Sequence, residues 1–288
     1  MAMVSSVRRV ASLIALLALG APLAACSSLD SLNPFGSEKY ETKILPEQPA
    51  VDLYDEGLAR SARGDTDGAV KKFADIEKQH PFTQQAKKGL LMTTYAQYRG
   101  ARYDDAIASA NRFYNLYPSS PDAPYALYLA AMSYYQQIPD ISRDQESAGK
   151  ALGLFRQLVE KYPKSEYAED AKFKIQVTAD QLAGKEMSVG RYYLTRRQYT
   201  AAINRFRDVL GKYQRTRHTE GALERLTEAY LGLGITGEAQ TAAAVLGHNF
   251  PDSPWYKDAY GRLQGGGLEP QEDQGSWISK IGKSIGLS

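Results

Sequence analysis

The sequence predicts an all-α fold, an α-solenoid of about five stacked helix-turn-helix repeats, and three observations carry that reading. First, one ending occurs five times: His80-Pro81-Phe82-Thr83, Tyr117-Pro118-Ser119-Ser120, Tyr162-Pro163-Lys164-Ser165, Tyr213-Gln214-Arg215-Thr216 and Phe250-Pro251-Asp252-Ser253. A ring, usually a proline, any residue, then Ser or Thr stops one helix and caps the next. Second, twelve residues before the proline position stand Ala69, Ala106, Ala151, Ala202 and Ala239. Eight before it are Phe73, Ala110, Phe155, Phe206 and Ala243, and five before it are Ile76, Phe113, Leu158, Val209 and Leu246, a single apolar stripe at helical spacing. Third, small residues recur in the first helix of each unit at Gly57, Thr94, Ala131, Gly190 and Thr227, where they let two antiparallel helices approach closely.

Taken in order, residues 1–25 read as a signal peptide. Arg8 and Arg9 precede the apolar run Val10–Leu19, and Leu23-Ala24-Ala25 supplies small residues for cleavage. The run is shorter than the roughly 20 residues of a permanent span. Leu-Ala-Ala-Cys resembles the bacterial lipobox, which makes Cys26, the single cysteine, the acylated first residue of the mature chain. Three acyl chains, at about 0.8 kcal/mol per buried CH₂, hold such a chain on a membrane. The alternative is an ordinary secreted chain whose cysteine falls here. Ser27, with no aspartate after the cysteine, resembles lipoproteins sorted to the outer membrane. Residues 26–50 form a lipidated N-terminus and flexible tether broken by Pro34, Pro46 and Pro49.

The solenoid is expected over residues 51–264. Its basic period is 37, from Pro81 to Pro118, with longer intervals of 45 and 51 after it. The third unit accounts for the first with an insertion around Ile138 to Glu146, and the fourth for the second with a first helix from about Glu166 through Arg197. Small residue, alanine, aromatic and proline at these offsets resemble the tetratricopeptide repeat. Residues 265–275 are a glycine-rich, polar linker, expected to act as a hinge. In residues 276–288, Trp277, Ile278, Ile281 and Ile285 form one stripe with Lys280 and Lys283 off it, a short amphipathic segment capped by Ser276. Three surfaces could seat it: the lipid interface, a partner's groove or the solenoid's own last helix pair. Docking on a partner or membrane is placed ahead of self-capping.

With its lipobox, tether, five repeats, third-unit insertion and long fourth-unit helix, the chain resembles the BamD/ComL family of outer-membrane assembly lipoproteins. The local wording agrees: HPFTQQA at 80–86, KYPKSEYAEDA at 161–171 and EMSVGRYYLTRRQYTAAINRF at 186–206. The resemblance covers about residues 51–250. It implies a non-enzymatic, lipid-anchored subunit of the β-barrel assembly machinery (Bam complex), on the periplasmic side of the outer membrane. Its partners would be a BamA-like barrel protein, other Bam lipoproteins and the C-terminal segments of unfolded outer-membrane proteins. It implies that Arg205 pairs with an acidic residue of BamA and that Arg112 lies in the client-receiving region. A second family basic residue, three positions on, is Asn115 here. Clients ending in an aromatic residue need an apolar pocket beside a cation, and Tyr95, Tyr98, Arg99, Tyr125, Tyr128 and Tyr134 supply those groups.

Other chemistries find little support. Lys+Arg 35 against Asp+Glu 33 leaves no nucleic-acid footprint. His80, His218 and His248 form no metal-binding pair, so no metal or cofactor is expected. Ser147-Ala148-Gly149-Lys150 lacks its partner motifs, and Gly282-Lys283-Ser284 has Trp277 where a phosphate loop needs glycine, so no catalytic residue is assigned. A generic repeat lipoprotein scaffolding a pilus, cell-division or envelope-remodelling system remains the competing reading.

Overall fold

The structure is a computed structural model that describes residues 47–285. Cys26 and the stretches expected to form the signal peptide and nearly all of the tether lie outside the described residues. Twelve α-helices and no strand occur among the described residues. They are α1 (Ala50–Ala62), α2 (Thr66–Gln79), α3 (Gln84–Arg99), α4 (Tyr103–Leu116), α5 (Ala123–Gln136), α6 (Glu146–Lys161), α7 (Ala168–Thr195), α8 (Tyr199–Lys212), α9 (Thr219–Leu233), α10 (Thr236–Asn249), α11 (Pro254–Gly265) and α12 (Trp277–Ile285). From α1 to α11 each helix packs on the next. First helices of neighbouring pairs also touch, α1 with α3, α3 with α5 and α7 with α9. This is a tetratricopeptide-like solenoid of five pairs.

All fifteen positions of the second-helix stripe are at most 1% exposed. The small first-helix positions are buried against them, and the two sets exchange size. Gly57 and Gly190 stand where a Cβ would lie 2.4 Å from Cε1 of Phe73 and of Phe206 respectively. In the second and fifth units, Thr94 and Thr227 take the small position, and Ala110 and Ala243 replace the phenylalanine. A larger residue on one helix is thus matched by a smaller one on the other, which keeps the pair close-packed.

One expectation about helix ends needs correction in three of the five units. Thr83 and Ser253 do cap their helices, accepting from the amides of Ala86 and Trp255 at 3.2 Å. Ser120 and Ser165 instead accept from Asp122 and Tyr167, and Thr216 donates to the Tyr213 carbonyl. In these three units the helix starts two residues later, so the hydroxyl holds the turn that leads into it. The turn inside each uninterrupted unit also uses a left-handed residue five positions before the alanine: Gly64 and Gly234, but Ala101 and Arg197 in the second and fourth units.

The third-unit insertion is a loop clamped to α7. Gln181 Nε2 donates to the Pro139 carbonyl, Lys185 to the Ser142 carbonyl, and Gln145 Nε2 to the Asp140 carbonyl. Ile141 lies so close to Gly184 that a Cβ there would meet its Cδ1 at 2.7 Å. The two irregularities therefore belong together, since the 28-residue α7 supplies the surface on which the insertion packs.

At the C-terminal end, α11 is tied to α9 by four charges. Glu224, 1% exposed, lies 2.9 Å from Arg262 Nε and 3.1 Å from Arg225 Nε, and Glu228 reaches the same two arginines. Residues 268–276 do not swing free as a hinge would. Gln240 donates to the Glu269 carbonyl, Thr241 Oγ1 accepts from the Asp273 amide, and Ser276 donates to Glu238. Of the three surfaces proposed for the tail, α12 takes the solenoid's own. It packs on α10, with Ile278 and Ser279 fully buried, and Trp277 Nε1 donates to Tyr230 Oη at 3.2 Å. Arg207 of α8 lies 5.1 Å from the Trp277 ring centroid, and Ser284 donates to Gln214, so α12 runs parallel to α8 and α10 and bridges them.

Candidate partner-binding surfaces

The residues expected to receive clients fall into three places. A cleft of about 410 Å³ between α1 and α3 is lined by Leu58, Ser61, Ala62, Met92, Tyr95 and Arg99. Arg99 donates to Tyr95 Oη at 3.3 Å, and its guanidinium lies 5.9 Å from that ring's centroid. No carboxylate pairs with Arg99 among the described residues. Apolar walls, a phenol and an unneutralised cation converge in this one cleft. Tyr98 stands on the same helix and accepts from Gln136 of α5 at 3.4 Å.

Tyr128 belongs to a second group. Its ring stacks on Tyr167 at 5.2 Å, Tyr167 stacks on Tyr125 at 5.0 Å, and its hydroxyl donates to Asp170 at 2.7 Å. Burial pushes the Tyr125 pKa up to about 12, and burial with the Asp170 contact raises that of Tyr128 further, so both stay neutral donors. Lys150 lies over the Tyr134 ring at 5.5 Å. Arg112 is in the second-helix layer, where it makes a two-pronged bond from α4 to Glu77 of α2. Asn115, three residues on, is exposed. The structure therefore joins Tyr95 with Arg99, sets Tyr98 beside them, and holds Tyr128 and Arg112 in separate contacts. Leu58 and Met92 were missed from the sequence; Leu58 follows the small position Gly57 and Met92 stands two residues before Thr94, so no shared repeat position marks them.

Arg205 lies on α8, half-exposed, with Nη1 3.1 Å from Glu186 Oε2 on α7. A small cleft of about 190 Å³ beside it is lined by Tyr193, Ala201, Asn204 and Asp208. The guanidinium is thus pre-oriented by one carboxylate at the edge of a depression, a geometry that admits a second carboxylate. Among the described residues no cluster of His, Cys, Asp and Glu could hold a metal ion, and no helix is long and apolar enough to cross a membrane.

Residues 46–246 match the model of the YfiO family, described as outer membrane lipoprotein. The chain belongs to the YfiO/BamD family. Its relatives carry the name outer membrane protein assembly factor BamD. The protein from Caulobacter vibrioides is 45% identical over 262 residues, covering 91% of this chain and 83% of its own length. That from Rickettsia prowazekii is 38% identical, covering 86% and 94%, and that from Neisseria meningitidis serogroup A is 32% identical, covering 84% and 92%. The YfiO match ends inside α10, so α11, the polar linker and α12 lie beyond it.

Proposed function

We propose that this chain is a non-enzymatic adaptor of outer-membrane β-barrel assembly, held on the periplasmic face of the outer membrane through acylated Cys26. The assembly role rests on the relatives named above. In this reading Arg205 contacts an acidic residue of a BamA-like barrel protein, other Bam lipoproteins bind elsewhere on the array, and the first units receive the C-terminal segment of an unfolded barrel protein. The cleft between α1 and α3 carries the client part of the reading. An aromatic side chain at a chain's end buries its ring against Leu58, Met92 and Tyr95, while its terminal carboxylate meets Arg99 in a charge-assisted bond. Tyr98 extends the aromatic wall towards α5, and the Tyr128 stack lies further along the array for the rest of the segment, while Arg112, in the second-helix layer and bonded to Glu77, would act apart from this cleft.

A fluorescent peptide ending in Phe with a free carboxylate tests it, titrated against the full chain in detergent. Arg99→Glu is expected to weaken binding at least about tenfold, the scale of a lost charge-assisted contact, and amidation of the peptide's end to do the same. Equal binding of the amidated peptide, or indifference to Arg99→Glu, would remove the client reading.

A further inference from the structure

We propose that the slot between α5 and α7, beside the third-unit insertion, binds an extended segment of a partner protein in which a carboxylate and an apolar side chain stand two residues apart. First helices of neighbouring units approach closely at α1 with α3, α3 with α5 and α7 with α9, whereas the backbones of α5 and α7 stay further apart. Large side chains span the gap at one end, where Tyr128 of α5 stacks on Tyr167 and bonds Asp170 of α7. Beyond them opens a cleft of about 300 Å³. Tyr135 and Gln136 of α5, Ile138 and Pro139 of the insertion, and Val177, Thr178 and Gln181 of α7 line it.

The polar groups of this cleft point to a ligand. Thr94, Ser133, Thr227 and Thr241 each donate to the carbonyl four residues earlier in their helix. Thr178 is as deeply buried, yet its Oγ1 has no hydrogen-bond partner among the described residues. A buried hydroxyl left unpaired is costly, and a ligand group that bonds it removes the penalty. Gln136 and Gln181 donate through Nε2 to Tyr98 Oη and to the Pro139 carbonyl, while neither Oε1 accepts from a protein group among the described residues. A hydroxyl and two carboxamide oxygens are suited to the amides and carbonyls of an extended chain. No lining residue is charged, so the cleft takes backbone and an apolar side chain rather than an ion.

The walls and the mouth define the segment further. Tyr135, Ile138, Pro139 and Val177 offer apolar surface to one side chain. Lys174, Val177, Thr178 and Gln181 share a face of α7, and Phe173, 63% exposed, extends the apolar surface beyond the cleft. Lys174 Nζ lies 4.9 Å from the Tyr135 ring centroid and has no ion-pair partner among the described residues. The nearby carboxylates are engaged: Asp170 accepts from the Tyr128 hydroxyl, and Asp140, next to Pro139, accepts from the Ser142 amide. Lys174 is one helical turn, about 6 Å, from Thr178. Alternate side chains of an extended chain lie on one side at about 6.6 Å. A carboxylate two residues from the apolar side chain therefore meets Lys174 as that side chain enters the cleft. The slot takes the interior of a chain rather than its end, and it involves neither Arg205 nor the cleft between α1 and α3.

The probes are two peptides, Ser-Asp-Ser-Leu-Ser-Gly and Ser-Leu-Ser-Asp-Ser-Gly, which present the pair in both chain directions. Each carries tetramethylrhodamine at its N-terminus, is amidated at its C-terminus, and is titrated against the full chain in detergent. One of them is expected to bind, and replacing its Leu by Ser or its Asp by Lys to weaken binding at least about tenfold. Val177→Asp, on the exposed rim, is expected to abolish binding with helical circular dichroism unchanged. Thr178→Val keeps the shape and removes the unpaired hydroxyl, so binding should weaken about fivefold without a fall in melting temperature. Lys174→Glu is expected to reverse the charge preference, so that the Lys-containing peptide binds more tightly than the Asp-containing one. Binding by neither peptide, or binding indifferent to Val177→Asp and Lys174→Glu, would overturn the proposal. Arg99→Glu is expected to change nothing; loss of binding there would place the peptide between α1 and α3 and overturn the proposal as well.

Discussion

Glu224 has exchanged water for two guanidinium groups, and burial still raises its pKa above the ordinary value of 4.5, against the lowering effect of Arg225 and Arg262. A raised folded-state pKa means that the native protein holds this proton more tightly than the unfolded chain does. The stability from that proton is present in full below the unfolded value and is lost as pH rises through the folded one. Glu224→Gln cannot titrate. Melting temperatures of both proteins from about pH 4 to 7 should therefore show the wild type losing ground to the variant as pH rises. A gap independent of pH would mean that the arginines compensate the buried charge fully. At this scale the sequence was legible where size alone decides, as at Ala69, Phe73 and their equivalents. It was silent where geometry decides: nothing in the side chains of Ala101 and Arg197 announces a left-handed turn, and Glu224 reads as one more surface charge until its neighbours from α11 are in place.

Among the elements, α12 was visible as an amphipathic stripe, but its seat was not. Three glycines suggested a free hinge because glycine loosens the backbone locally. The polar residues that follow it then fix the chain on α10 through Thr241, Gln240 and Glu238, side chains that lie about thirty residues away in sequence. The long α7 and the insertion were each legible, while the clamp between them depends on side chains meeting across two units. Truncation after Gly265 removes the burial of Ile278 and part of that of Trp277, worth about 2–4 kcal/mol. For a domain of this size the melting temperature should fall on the order of 8 °C. An unchanged melting temperature would show that α12 contributes nothing to the array.

For the whole molecule, the adaptor reading requires that the array hold a barrel subunit through a surface already ordered before contact. Arg205→Glu would place a carboxylate beside Glu186 and repel an acidic partner residue. The variant should keep its helical circular dichroism yet recover much less of a BamA-like barrel protein from detergent-solubilised outer membranes. Full recovery would make Arg205 an ordinary surface side chain. Repeats that touch only their neighbours behave as links in a chain, each with its own coupling to the next. The clamp of Pro139, Ser142 and Ile141 on α7 makes one of those links stiffer than the rest. The third and fourth units should therefore act as a single strut. Strain entering the array from either side would be relieved by yielding at the outer joints, leaving the surface that carries Arg205 undistorted while the first units flex around a client.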